Sequence, residues 1–63
     1  MIRTALARNS KTKNLKIFRS NDYGTQSEMA RELRGNGFRV LKIWNGYKTD
    51  SEVDHWEWLN RKK

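Results

Sequence analysis

No cysteine and no proline occur in the 63 residues, and His55 is the single imidazole. The first absence excludes a disulfide framework and, with only one histidine, a zinc-type ligand cluster. The second, together with the lack of repeats and low-complexity tracts, leaves no candidate linker, so residues 1–63 read as one domain. Hydrophobic residues are scarce at 35%, and nowhere do they approach the run of roughly 18 that a membrane-spanning helix needs. Acids are scarce too, 7 Asp and Glu against 14 Lys and Arg. Stability must come from packing alone, in a chain near the lower size limit for an unaided core. Three Trp, two Phe and two Tyr make such a core feasible, because each ring buries a large apolar area. Met1 to Leu6 carry no apolar run of signal-peptide length, and neither a glycine at position 2 nor a C-terminal cysteine offers a lipidation site. A cytoplasmic protein without membrane association is the expectation.

Ile2, Thr4 and Leu6 alternate with Arg3, Ala5 and Ala7 at the period of a half-buried strand, although alanine lowers the propensity. Asn9 to Asn14 are polar turn formers, and Leu15-Lys16-Ile17-Phe18-Arg19 is again strand-like. Together the two runs predict a hairpin with a basic loop. Thr25-Gln26-Ser27-Glu28 has the Ser/Thr-x-x-Glu form of a capping box and predicts a helix beginning there. Its buried stripe is Met29, Ala30 and Leu33, and Gly35-Asn36-Gly37 ends it with a residue able to turn left-handed. Phe38 to Trp44 is rich in β-branched and aromatic residues and predicts the central strand. Its apolar residues fall at both parities, so both faces should be covered, one by the helix and one by aromatic neighbours. Asn45-Gly46 marks a turn or bulge.

The last segment fits two periods. Val53, His55, Glu57 and Leu59 alternating with Asp54, Trp56 and Trp58 suit a strand; Ser51 and Asp54 as a cap, with Val53, Trp56 and Leu59 as a stripe, suit a helix. The strand is the expectation. The predicted fold is therefore α+β in the order β-β-α-β-β, an antiparallel sheet of three or four strands with one helix packed on a face. An open strand edge near either terminus would let a second copy pair, so a monomer or an edge-strand homodimer is expected.

The net charge of +7 is unevenly spread. Arg3, Arg8, Lys11, Lys13, Lys16 and Arg19 all precede the first acid, Asp22, whereas Asp50, Glu52, Asp54 and Glu57 cluster late, before Arg61, Lys62 and Lys63. A dipolar molecule with one basic face follows. Cations on a protruding hairpin can track a phosphate backbone or enter a major groove. Nucleic acid, DNA or RNA, is accordingly the expected partner, held by Arg8, Lys11, Lys13, Lys16 and Arg19 on the hairpin with Arg39 and Lys42 beside it. Trp44, Tyr47, Trp56 and Trp58 are the candidate partner contacts, as base-stacking rings or as hot spots for a protein, although the core competes for the same side chains.

Catalysis finds no residues to use. His55 among Asp50, Glu52, Asp54 and Glu57 lacks the convergent, concave ligand set of a metal or acid–base site, and Gly35-Asn36-Gly37 lacks the lysine and preceding strand of a phosphate loop. No metal, no cofactor and no enzymatic activity are expected. One helix is too few for a helix-turn-helix. The size and β-β-α-β order are similar to those of small bacteriophage and mobile-element proteins, some of which disable a host machine such as RNA polymerase or a CRISPR complex. That resemblance spans the whole chain, rests on size and element order without a motif, and implies a nucleic-acid-handling complex as the alternative partner.

Overall fold

The computed structural model describes residues 2–61; Met1 and the C-terminal cations Lys62 and Lys63 lie outside the described residues. The chain forms β1 (Arg3–Asn9), β2 (Leu15–Ser20), α1 (Gln26–Gly35), β3 (Phe38–Asn45) and α2 (Asp50–Arg61). The three strands make one antiparallel sheet in the order β2-β1-β3. The predicted hairpin, first helix and third strand are all present. Three expectations are corrected: the fifth element is a helix and not a strand, a second helix covers the sheet, and the central strand is β1, with β3 at an edge. Neither terminal element therefore offers an open strand edge; the two edges belong to β2 and β3.

The alanines explain why β1 takes the centre. Ala5 and Ala7 are fully buried on the face covered by α1, where Met29 and Leu33 pack against Ala5. Phe18 of β2 and Phe38 of β3 come from the two outer strands and still meet edge-to-face, with ring centroids 5.0 Å apart. Small side chains on the strand between them leave room for that contact, so packing outweighs the low strand propensity of alanine. By alternation Thr4 and Leu6 point to the other face, where they are also fully buried. That face is covered by α2, whose Val53 is fully buried and whose Trp56 meets Trp44 edge-to-face at 5.6 Å. Burying a side chain the size of Leu6, Met29 or Val53 contributes about 1.5–3 kcal/mol each. The register of β3 slips against Leu6/Ala7, which lets apolar residues of β3 serve both layers. Both faces of the strand are covered, one by α1 as expected and the other by α2, where aromatic neighbours alone were expected.

Both helices begin with the same device. In α1 the Thr25 hydroxyl accepts from the Glu28 amide at 3.2 Å, and the Glu28 carboxylate accepts from the Gly24 amide at 3.3 Å. In α2 the Thr49 hydroxyl accepts from the Glu52 amide at 3.2 Å while Glu52 Oε1 accepts from both the amide and the hydroxyl of Thr49, at 3.2 and 3.1 Å. Thr49-Asp50-Ser51-Glu52 is thus a second capping box. Gly37, at φ 91, ends α1: its amide donates to Arg34 O at 3.1 Å in a conformation that residues with a Cβ rarely adopt.

The second cap makes α2 sensitive to acid. Hydrogen bonding from the Thr49 amide and hydroxyl holds the Glu52 carboxyl below its ordinary value of 4.5, and the hydrogen bond from Arg61 does the same to Glu57. A depressed folded-state value means stability that is present above pH 4.5 and lost as pH falls through the lowered value. Far-UV circular dichroism during acid titration should show helix loss beginning below about pH 4.5, and Glu52→Gln should flatten part of that transition. An unchanged titration in the variant would show that Glu52 is not the group being read.

Candidate nucleic-acid interface

The antiparallel connections place the hairpin turn, the C-terminal ends of both helices and the start of β3 at one end of the molecule. The turn is locally specified. Asn9 Oδ1 accepts from the amides of Lys11 and Thr12 at 2.8 and 3.0 Å, the Lys13 amide donates to Asn9 O, and the Asn9 amide donates to Asn14 O, both at 2.8 Å. An Asx side chain closing its own turn is the usual reason for asparagine at such a position. The Ser10 amide then donates to Gly37 O at 3.0 Å, tying the hairpin turn to the loop between α1 and β3.

Three of the predicted cations converge here. Arg8, Lys13 and Arg39, with Asn9 and Ser10, line a cleft of about 390 Å³. Arg8 and Arg39 are direct cross-strand partners in the β1–β3 ladder. Lys11 sits on the same exposed turn, while Lys16, opposite Ala7, lies on the α1 face of the sheet with its ammonium 5.3 Å from the Phe18 ring. Lys42 lies farther along β3 at the register slip. Among the described residues none of Arg8, Lys11, Lys13, Lys16, Arg39 and Lys42 has an ion-pair partner within 4.0 Å.

Arg19 is the predicted residue that the structure does not bring to this site. It lies at the other end, where its guanidinium donates to Lys48 O at 3.1 and 2.8 Å and to Asp50 Oδ1 at 2.5 Å, 4.7 Å from the Tyr47 ring. The Asp50 hydrogen bond raises the Arg19 pKa above its ordinary value, in keeping with a cation locked into the scaffold. Arg3 is engaged in the same way, with Tyr23 O at 2.6 Å, Gly24 O at 3.2 Å and Asn45 Oδ1 at 3.1 Å. Lys48 pairs with Glu52 at 3.7 Å. The acids of the first helical turns, Glu28, Asp50 and Glu52, also occupy that end. Arg34 and Arg61 instead close the last turns, beside the cationic hairpin. These residues sit at the helix ends that the dipole favours, while Glu32 and Glu57 lie nearer the C-terminal ends.

The sequence reading missed Arg31 and Arg34, which line a separate cleft of about 400 Å³ with Gln26, Ser27, Ala30 and Ile43 along the β3 edge. Their signal was the basic last turn directly before Gly35-Asn36-Gly37. The four candidate aromatics divide. Trp44 and Trp56 pack on each other between β3 and α2, whereas Tyr47 and Trp58 are 58% and 47% exposed. Trp56 and Trp58 share a parity in a strand, but in a helix they diverge by about 200°, which is why one is packed and the other is not. His55 is exposed on α2, and among the described residues no group of three or more His, Cys, Asp or Glu is placed to hold a metal ion. No helix among them is long and apolar enough to cross a membrane.

Protein-family models, curated proteins and solved structures were compared with this chain. Nothing matches. The geometry of the site alone therefore carries the functional reading.

Proposed function

We propose that this chain is a non-catalytic nucleic-acid-binding domain that grips phosphates with its hairpin end. One observation carries the reading: cations at the two ends of the sheet are used differently. Arg3, Arg19 and Lys48 are bound to backbone carbonyls and carboxylates of the chain itself. Arg8, Lys11, Lys13 and Arg39 gather around the opposite end without ion-pair partners. A protein that held so many unneutralised cations together for solubility alone would gain more by spreading them out, since like charges repel. Polyanion binding repays the clustering by releasing condensed counterions.

The test is fluorescence-anisotropy binding to labelled single-stranded DNA, duplex DNA and RNA across a salt series. Wild type should bind at micromolar concentration or tighter, with affinity falling steeply as salt rises. Lys11→Glu/Lys13→Glu should weaken binding at least about ten-fold and flatten the salt slope by roughly one unit for each phosphate no longer neutralised. Weak binding that ignores both salt and the double substitution would end the proposal.

Tyr47, Trp58 and Leu59, each about half exposed or more, favour a second reading. They suit contact with a protein partner, such as a nucleic-acid-handling complex that the domain modulates, because exposed aromatics are the usual anchors of such interfaces. In that case Trp58→Ala, and not the lysine reversals, should abolish stoichiometric capture of the partner.

A further inference from the structure

We infer that the cleft between the hairpin turn and β3 is a site for one phosphate monoester dianion. The inference rests on the nucleic-acid reading, in which that group is the terminal phosphate of a strand. Two independent features of the cleft point to an anion. The first is the Arg8–Arg39 pair. Directly opposed residues of an antiparallel ladder have Cβ atoms about 4.5–5.5 Å apart, and like charges at that spacing destabilise the sheet. Of the nearby acids, Glu57 on α2 is close enough for Arg8 to contribute to its lowered pKa, but its carboxylate is already bound by Arg61. The two guanidiniums thus lack a full counter-charge, and an anion between them converts the repulsion into attraction.

The second feature is Lys13. Its φ of 67 makes it the one non-glycine residue among those described with a left-handed backbone, a conformation that disfavours side chains with a Cβ. Glycine would fit the turn better. Lys13 lines the cleft together with Arg8 and Arg39, and the Ser10 to Gly37 hydrogen bond ties the hairpin turn to the loop before β3. Strain held at a charged wall is the kind of outlier that marks a ligand site.

The cation count selects the ligand. Two arginines, whose guanidiniums can each donate in a two-pronged fork, and one lysine line one cleft. A backbone diester offers a single negative charge and two free oxygens, too little for three cations. A monoester offers about −1.5 to −2 charges and three acceptor oxygens. Asn9 and Ser10, which also line the cleft, supply polar groups at its rim.

Two 3′-labelled single-stranded oligonucleotides of one sequence, carrying either a 5′-phosphate or a 5′-hydroxyl, provide the test, alongside amide NMR shifts in inorganic phosphate. The 5′-phosphate strand should bind about ten-fold tighter at pH 7.5, and that advantage should shrink as pH falls through about 6, where the monoester dianion takes up a proton and becomes a monoanion. Arg39→Gln and Arg8→Gln should erase the preference, whereas Arg31→Gln, outside the cleft, should keep it. Both cleft variants should melt at or above the wild-type temperature, which separates loss of the site from loss of the fold. Inorganic phosphate should shift the Ser10 and Lys13 amides. Equal binding of the two strands, with salt dependence intact, would overturn the inference and leave the nucleic-acid reading standing. Failure of both strands while phosphate still shifts Ser10 and Lys13 would overturn the nucleic-acid reading and support the cleft as a phosphate site for another monoester.

Discussion

Leu6→Ala should remove most of the folding stability of the protein. Leu6 is 1% exposed, on the central strand and on the face that α2 covers. Deleting a buried leucine side chain costs about 3 kcal/mol, part of it lost transfer energy and part the cavity left behind. A core in a chain this short rarely supplies more than about 3–5 kcal/mol in total. The substitution therefore removes most of the margin, and urea denaturation should show no folded baseline or a midpoint shifted close to zero. Leu59→Ala is the control: Leu59 is 48% exposed on α2 and should cost no more than about 0.5 kcal/mol. A loss below about 1 kcal/mol for Leu6→Ala would contradict the placement of α2 over this face of the sheet.

Thr4→Val carries the next largest expected effect, although it barely changes volume. The Thr4 hydroxyl is fully buried; it donates to Gly46 O at 2.9 Å and accepts from the Lys48 amide at 3.0 Å. That one side chain satisfies two backbone polar groups of the link between β3 and α2 and so helps to set the direction in which α2 leaves the sheet. Valine fills the space but leaves the part-buried Gly46 carbonyl and Lys48 amide without this partner, which costs about 2 kcal/mol in sum. Thr4→Ser, which keeps the hydroxyl, should cost about half as much. Hydrogen exchange gives the sharper readout: the Lys48 amide should lose protection in Thr4→Val and retain it in Thr4→Ser. A cost for Thr4→Val no larger than that for Thr4→Ser would mean that the hydroxyl is not the dominant group.

The placement of charge follows from the same architecture. Because β1 is central and antiparallel to both neighbours, the hairpin turn falls beside the start of β3, and Arg8 comes level with Arg39 although they are 31 positions apart in the chain. The cations that precede the first acid are not one basic face. Arg3 and Arg19 are drawn off by carbonyls and by Asp50 at the far end, while Arg8, Lys11 and Lys13 stay with the turn. The site is narrower than the charge distribution along the chain implies.

Local signals determined the elements whose hydrogen bonds are local. Asn9 to Asn14 specified the hairpin turn through the Asn9 side chain, Thr25 and Glu28 specified the start of α1, and Gly37 its end. The second helix was written in the same code, since Thr49 and Glu52 repeat Thr25 and Glu28 at identical spacing. It was obscured by the residues that follow: over Val53 to Leu59 a two-residue and a three-to-four-residue period both fit, and bulky rings tilt the choice toward a strand. The inward face of α2 also carries Glu57 and Asn60, both partly buried, so its apolar stripe is broken. Strand order, by contrast, was decided only by the tertiary structure. The Val- and Ile-bearing run of β3 has the propensity of a central strand, but the central position requires side chains that two layers and two outer strands can all pack against. Ala5 and Ala7 meet that requirement because they are small enough for the rings of Phe18 and Phe38 to meet. Pairing Arg8 with Arg39 is a consequence of that order, and the pair exists only once the sheet has formed.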